Sequence, residues 1–474
     1  LDQNLSSDVR QALLQKEKKG TDMEKTMDMT QGSPGKLILR FGLPLLFGNV
    51  LQQLYNFVDT VVVGRGAGLN ALAAVGATGS INFLVLGFII GLTQGVSILS
   101  AQYFGARDQH SLKRAITMSA LLCLSGVVIL TIVSVLGARS LLAWMNTPDQ
   151  ILEQATLYIQ IIFIGSIAST AYNFFSGILR ALGDSKHPLT AMIIAFFVNT
   201  ILDVLFVITF HMGVAGAAWA TVIAQAFSAV YCFVCLRRIE WLDLHREDWK
   251  WDGKMFLHST KLSLPVALMN SITAVGVMIL QIAINGFGSL YVAGYAAASK
   301  VIVILEQISS TFGFAAGTYA GQNLGAGKVE RIVHGVRAAN GIVLAMNVSA
   351  AVLCLLFGHS LMHMMMGNED LEAVAIATHS LQILSIFMVF LGGLWVYRSS
   401  LQSMGDTLWP MVSGILEFTS RLVFVLWLPS IFGFTGILLA ESSAWLSAMI
   451  MLMLVYQITI KKLKKKHGAL VTPA

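Results

Sequence analysis

Apolar runs of about 20 residues, separated by short polar breaks, follow one another along almost the whole chain, and a run of that length crosses a ~30 Å hydrocarbon layer as an α-helix. The runs fall at about 41–64, 79–103, 116–137, 154–178, 189–210 and 214–236. A second set follows at about 262–285, 298–321, 338–358, 375–397, 411–431 and 435–459. The predicted fold class is an all-α integral membrane protein of twelve transmembrane helices. The expected division is a polar tail (1–35), a first lobe of six spans (36–236), a linker (237–261), a second lobe of six spans (262–460) and a basic tail (461–474).

The two sets of six repeat one another at an offset of 220–222 residues. FGLPLL near Pro44 answers LSLPVA near Pro265, AQYFGARD answers AGQNLGAGK, ALGDSKHP answers SMGDTLWP, and GVAGAAWAT answers GFTGILLAE. Four matches in one order mark a duplicated unit. An even number of spans per unit gives both the same orientation, so a pseudo-two-fold axis along the membrane normal is expected, with a substrate path between the halves.

Composition agrees with that picture and removes others. Hydrophobic residues make up 56% of the 474 and charged residues 12%, against about 25% charged in a soluble domain. Short loops and two tails leave no room for a soluble enzyme domain. The net charge of +6 lies in loops rather than on one folded face, so no nucleic-acid partner is expected. Of the 31 Lys and Arg, 27 fall on the side that holds both tails; Arg65, Arg139 and Lys300 lie opposite, and Arg421 lies within a span. The positive-inside rule makes the 27-residue side cytoplasmic, in a plasma or inner membrane. Cys123, Cys232, Cys235 and Cys354 fall in apolar runs and read as buried thiols. Trp241, Trp249 and Trp251 in the linker read as interfacial anchors. The polar start shows no cleavable signal, and Met23, Met27 or Met29 would serve as a natural start.

Ionisable side chains inside spans cost about 3 kcal/mol or more at the bilayer centre and require a reason. Gln52, Tyr55 and Asp59 form one stripe on the first span, and Asn199 and Asp203 share a face of the fifth. Thr221 lies on the sixth. At 1.5 Å per residue, Asp203 lies about 21 Å from the cytoplasmic end, Asp59 about 27 Å and Thr221 about 20 Å, depths that allow one pocket. Two carboxylates with an amide oxygen and a hydroxyl suit Na⁺. They also suit a proton, since neighbouring buried carboxylates do not both ionise cheaply. The same cluster would equally serve to tie three helices together. In the second lobe Glu417 and Arg421, spaced i, i+4, are expected to pair within their helix, with Glu306 or Glu441 as further partners, in a gating or structural network. Other features read as bland: Met362 to Met366 beside His359 and His363 as interfacial packing, the glycines of spans two and eight as close helix contacts, and Pro44 as either the opening of the first helix or a bend in it.

Over about residues 32–460 the sequence resembles the multidrug and toxic compound extrusion (MATE) transporters. The resemblance is carried by QGSPGKLILRFGLPLLFGNVLQQLYNFVDTVVVGR, LRALGDSKHP and NTILD. It implies a V-shaped, two-lobed bundle that exports organic, often cationic, amphiphiles against Na⁺ or H⁺. By position, Asp59, Asn199, Asp203 and Thr221 match the family's N-lobe cation site, with Tyr55 beside it. Spans seven and ten lack the acidic residues of the NorM-like branch, which makes the chain look closer to the DinF-like branch. The expectation is a cation-coupled exporter with no cofactor beyond its coupling ion, small organic substrates and lipid as its partners, acting as a monomer. A flippase for lipid-linked saccharides would need an arginine-rich cleft, whereas only Arg421 is expected inside a span. An intramembrane protease would need a motif such as HExxH, which is absent; His379 is the one notable span histidine.

Overall fold

The structure is a computed structural model that describes residues 27–145, 147–367 and 370–471. The start at Met23 and the rest of 1–26 lie outside the described residues, as do 472–474. Among the described residues every regular element is helical, as a backbone in lipid requires unless it closes into a barrel. The first lobe comprises α1 (Pro34–Gly66), α2 (Leu69–Gly105), α3 (Gln109–Trp144), α4 (Asp149–Ile164), α5 (Ser166–Ala181), α6 (Lys186–Asp203) and α7 (Gly213–Arg237). The second comprises α8 (Gly253–Asn285), α9 (Ser289–Gly325), α10 (Val329–Met366), α11 (Leu371–Ser403), α12 (Leu408–Trp427), α13 (Pro429–Phe432) and α14 (Phe434–Val471). With α4 and α5 counted as one span bent by 41°, there are twelve.

The differences from the sequence reading have local causes. Span four breaks at Gly165, where a Cβ would stand 2.1 Å from Val222, so α7 packs into the notch of the bend. Span five ends in a π-helical turn, Val204–Thr209, directly after Asp203. Pro34, not Pro44, occupies the first turn of α1, where its missing N–H costs nothing; Pro44 lies in the helix interior. The linker is shorter than expected, because Asp252 caps α8 by accepting from the backbone of Lys254 and Met255 and also meets Arg114 at 3.0 Å. Those contacts hold the Asp252 carboxyl below its usual range, the capping hydrogen bond being the largest cause. Trp249 and Trp251 are exposed, but Trp241 is buried and stacks on Phe104, so it is core rather than an interfacial anchor.

The repeated motifs build the same local structure twice. Gly183 and Gly405 both take a left-handed φ, at 84° and 91°, which a residue with a Cβ adopts only with strain. The aspartate that follows each glycine then receives backbone N–H groups of the next helix: Lys186 and His187 at Asp184, Trp409 at Asp406.

Small residues bring the lobes together along the halves of α1, α2, α8 and α9 nearest the chain termini. A Cβ at Gly91 would meet Ala267 backbone at 2.3 Å, one at Gly105 the Gln322 carbonyl at 1.9 Å, and one at Gly325 the Gln102 carbonyl at 1.9 Å. Asn49 donates to Thr311 (2.8 Å), and Asn270 to the Gly87 carbonyl (2.9 Å). The segment around Met29 is tucked beneath this seam. Its N–H donates to Gln322 Oε1 (2.9 Å), while Gln322 Nε2 donates to the Ala181 carbonyl (2.9 Å). Gly68, Gly76, Gly79 and Gly288, at the other ends of these helices, meet nothing within 4 Å. The bundle is therefore sealed at the end bearing the termini and parted at the other. Gly325→Ala should pry α2 from α9, lowering the thermal midpoint and lengthening spin-label distances across that end; unchanged distances would show that the glycine contact does not set the closure.

Candidate cation pocket and central cavity

Helix registers bring the first-lobe candidates together. Tyr55 on α1 donates its hydroxyl to Thr221 Oγ1 on α7 at 3.1 Å. Asp59, one turn further along α1, faces Asp203 of α6 within electrostatic reach. Asn199 and Asp203 are fully buried. Bare Gly66 allows this approach: a Cβ there would meet Val207 and Ile208 of the π turn at 2.9 and 3.0 Å. The π turn itself follows the pattern of such turns collecting at functional positions. Neither amide atom of Asn199, neither carboxyl oxygen of Asp203, nor Oδ1 of Asp59 has a hydrogen-bond partner in the protein.

Such a set of orphaned polar atoms needs a physical account, because each would cost about 1–3 kcal/mol if left unpaired. Two carboxylates facing each other have no hydrogen to share. One proton makes the pair a donor and an acceptor, and a Na⁺ would be gripped by both together with the Asn199 oxygen. The donor set fits either ion. Sequence reasoning missed Tyr158 of α4, whose buried ring brings its hydroxyl within electrostatic reach of both aspartates. The available signal was its depth in span four, near that of Thr221, but a span tyrosine is too common to single out.

The second lobe holds a different network. Arg421 forks onto Glu441, Nε to Oε2 at 2.8 Å and Nη2 to Oε1 at 2.9 Å. Its contact with Glu417 is long, at 3.8 Å. Glu417 instead forms a close ion pair with Arg398, which also donates to Ser413 at 3.0 Å. The expected i, i+4 pair is thus secondary, because a guanidinium reaches better geometry across helices than along one. Arg398 itself corrects the sequence reading: it lies inside α11, 4% exposed, not in a loop. Glu306 of α9 lies within electrostatic reach of Arg421, Glu417 and Glu441. Three carboxylates and two guanidiniums thus share one buried cluster, away from the first-lobe aspartates.

Between the lobes lies a cavity of about 260 Å³. Gln52, Tyr172, Met192 and Gln225 line both this cavity and a small recess that Tyr55 also lines, one helical turn from Asp59. Its walls are mostly apolar, with Phe41 and Phe314 among them, and carry the amides of Asn49, Gln94, Asn173 and Gln402. Arg180, assigned to a loop by the charge pattern, ends α5 and lines the cavity. One arginine there does not make a clamp for a pyrophosphate. The four cysteines are free and buried. Among Met362 to Met366, Met362 is buried whereas Met364 and Met365 are exposed.

A twin-lobed bundle of twelve spans, sealed at one end around a central cavity of mixed apolar and polar lining, defines a membrane transport protein rather than a receptor or channel of few helices. The MatE family matches residues 44–205 and again 265–427, the spacing of the internal repeat. A Bacillus subtilis (strain 168) relative called "Probable multidrug resistance protein YpnP" is 30% identical over 403 residues, covering 83% of this chain and 88% of that protein. "DNA damage-inducible protein F" of Escherichia coli (strain K12) is 26% identical, covering 77% and 79%. A solved structure described as the outward-facing conformation of a multidrug resistance MATE family transporter superposes with a TM-score of 0.85 at 23% identity, covering 93% of this chain and 99% of that one. A transporter of the MOP superfamily from Pyrococcus furiosus superposes at 0.86, also at 23% identity. The chain belongs to the MatE family of membrane transporters.

Removing Arg398 leaves the Glu417 charge with only the distant Arg421. Arg398→Met should therefore destabilise the protein by about 3–5 kcal/mol, and Arg398→Met/Glu417→Gln should recover most of the loss. Thermal melts of the purified single and double variants in one detergent decide it, and equal losses in both would refute the pairing.

Proposed function

We propose that the protein exports amphiphilic organic compounds across the plasma or inner membrane in exchange for an inward flow of H⁺ or Na⁺. The observation that carries this reading is the pair of Asp59 and fully buried Asp203, facing each other with unpaired oxygens one turn from Tyr55, which with Gln52 lines the recess beside the central cavity. Both termini lie in the cytoplasm, as the 27-residue bias of Lys and Arg supports. The family and the name of the B. subtilis relative support multidrug efflux. Similarity of about a quarter to both the E. coli relative and a Thermotoga maritima relative called "Probable multidrug resistance protein NorM" leaves the DinF-like branch resting on the missing acids of spans seven and ten.

Alternating access follows from the two ends of the seam. Cargo loads from the cytoplasm or inner leaflet while the terminus-bearing end is open, and closure of the glycine seam turns the cavity outward. A cation from outside then neutralises the Asp59/Asp203 pair. Neutralising one member removes their repulsion and draws α1 toward α6, and α1 carries Gln52 and Tyr55 along the cavity wall. The ion drives the cycle only so far as it binds one state better than the other. Arg398, Glu417, Arg421 and Glu441 act as the internal lock of the second lobe, with Glu306 beside them as a gating group.

Asp59→Asn keeps the size of the side chain and removes its charge. It should abolish gradient-driven efflux from proteoliposomes while leaving expression and melting temperature near wild type; Asp203→Asn should do the same. Undiminished efflux by Asp59→Asn would discard the site. Separately imposed Na⁺ and pH gradients identify the coupling ion by which one alone sustains efflux, and efflux under neither would discard the antiport reading.

A further inference from the structure

We infer that the central cavity selects amphiphiles bearing an oxyanion, such as a carboxylate, rather than organic cations. The inference rests on the export reading for its cavity, but not on the coupling ion. Arg180 is the one charged side chain among the residues lining that cavity, and no Asp, Glu or Lys accompanies it. Among the described residues no carboxylate lies within ion-pair distance of its guanidinium. Asp184, the acid four residues on, is engaged by His187 and by the N–H groups of Lys186 and His187. The basic group thus lines a binding space without a counter-charge, where an arriving anion would supply one.

Two residues lining the same space carry buried hydroxyls without partners. The Tyr172 hydroxyl, on the helix that carries Arg180, is buried and unbonded, and so is the Ser399 hydroxyl of α11 on the opposite lobe. Gly177, one turn before Arg180, keeps the approach open: a Cβ there would stand 2.5 Å from Ser97 Oγ and 3.9 Å from Arg180 Nη2. A planar carboxylate takes two parallel hydrogen bonds from a guanidinium, geometry that an ammonium cargo cannot use and that like charge opposes. The Phe41 and Phe314 rings offer the apolar body of the cargo its contact. Charge movement follows from this: exporting a monoanion for one inward H⁺ or Na⁺ moves two positive charges inward, so an inside-negative potential assists each turnover.

The test uses the purified full-length chain and three fluorescent amphiphiles on one dansyl-decyl scaffold, ending in a carboxylate, a methyl ester or a trimethylammonium group. The carboxylate should bind wild type about tenfold more tightly than the ammonium, the scale of one charge-assisted hydrogen-bonded pair. Arg180→Gln should erase that difference while leaving ester binding within about twofold, and Arg180→Lys should keep the order with a smaller gap. Ammonium binding as tight as carboxylate binding in wild type overturns the inference before any variant is made. So does an Arg180→Gln variant that weakens all three probes alike, the mark of a merely structural arginine. In proteoliposomes, transport of the carboxylate probe should quicken under an inside-negative potential. Retained carboxylate preference in binding, with no transport of any probe, would sink the export reading and leave the cavity assignment standing.

Discussion

The whole architecture follows from the cost of a polar group in hydrocarbon. Backbone amides satisfy themselves by winding into helices, which is why every regular element described here is helical. Side chains have no such local solution, and each charged one within a span must find its partner across the bundle. Helix placement is therefore governed by where the polar side chains can meet, and the two lobes solve the problem in opposite ways.

In the second lobe two of the three carboxylates are paired with guanidiniums. Arg398 takes Glu417 and Arg421 takes Glu441, so the helices α11, α12 and α14 are tied by ion pairs that are dry and nearly complete. Such pairs lend little net stability but make it costly to pull the helices apart. In the first lobe two carboxylates confront each other with no Lys or Arg paired to them among the described residues, next to an amide without a side-chain hydrogen bond. That arrangement is unfavourable unless a small positive charge joins it. One lobe is closed electrostatically and the other is left incomplete, which gives the bundle a rigid half and a responsive half. The central cavity between them is incomplete in the reverse sense, with a guanidinium awaiting an anion.

Packing decides how these halves communicate. Glycines and alanines on α2, α8 and α9 allow backbone contact along one end of the seam, where any Cβ would collide. The contact is short-ranged, so a small separation of the helices loses it. The Met29 segment and Gln322 stitch the sealed end with buried hydrogen bonds between side-chain amide and backbone. Tyr55 reaches from the aspartate pair toward the cavity, and α1, which carries it, also donates from Asn49 across the seam to Thr311. A single helix thus carries Asp59, lines the cavity and bonds across the seam.

Much of this was legible in the chain itself. Apolar run lengths determined the number of spans, the even partition of basic residues their parity, and the repeated GD turns the duplication, because these depend on composition and local backbone preference alone. The stripe of Tyr55 and Asp59 and the pairing of Asn199 with Asp203 followed from helical spacing. What needed the tertiary structure was every partnership between helices. The sequence offered Glu417 and Arg421 as neighbours, but guanidinium geometry favoured partners on other helices, Arg398 and Glu441. Arg180 and Arg398 looked like loop charges because span ends are soft in hydropathy, yet packing drew one into the cavity and the other into the core. Spacing along a helix is a local property, whereas which faces meet is settled by the collective fit of twelve spans, and no single segment carries that information.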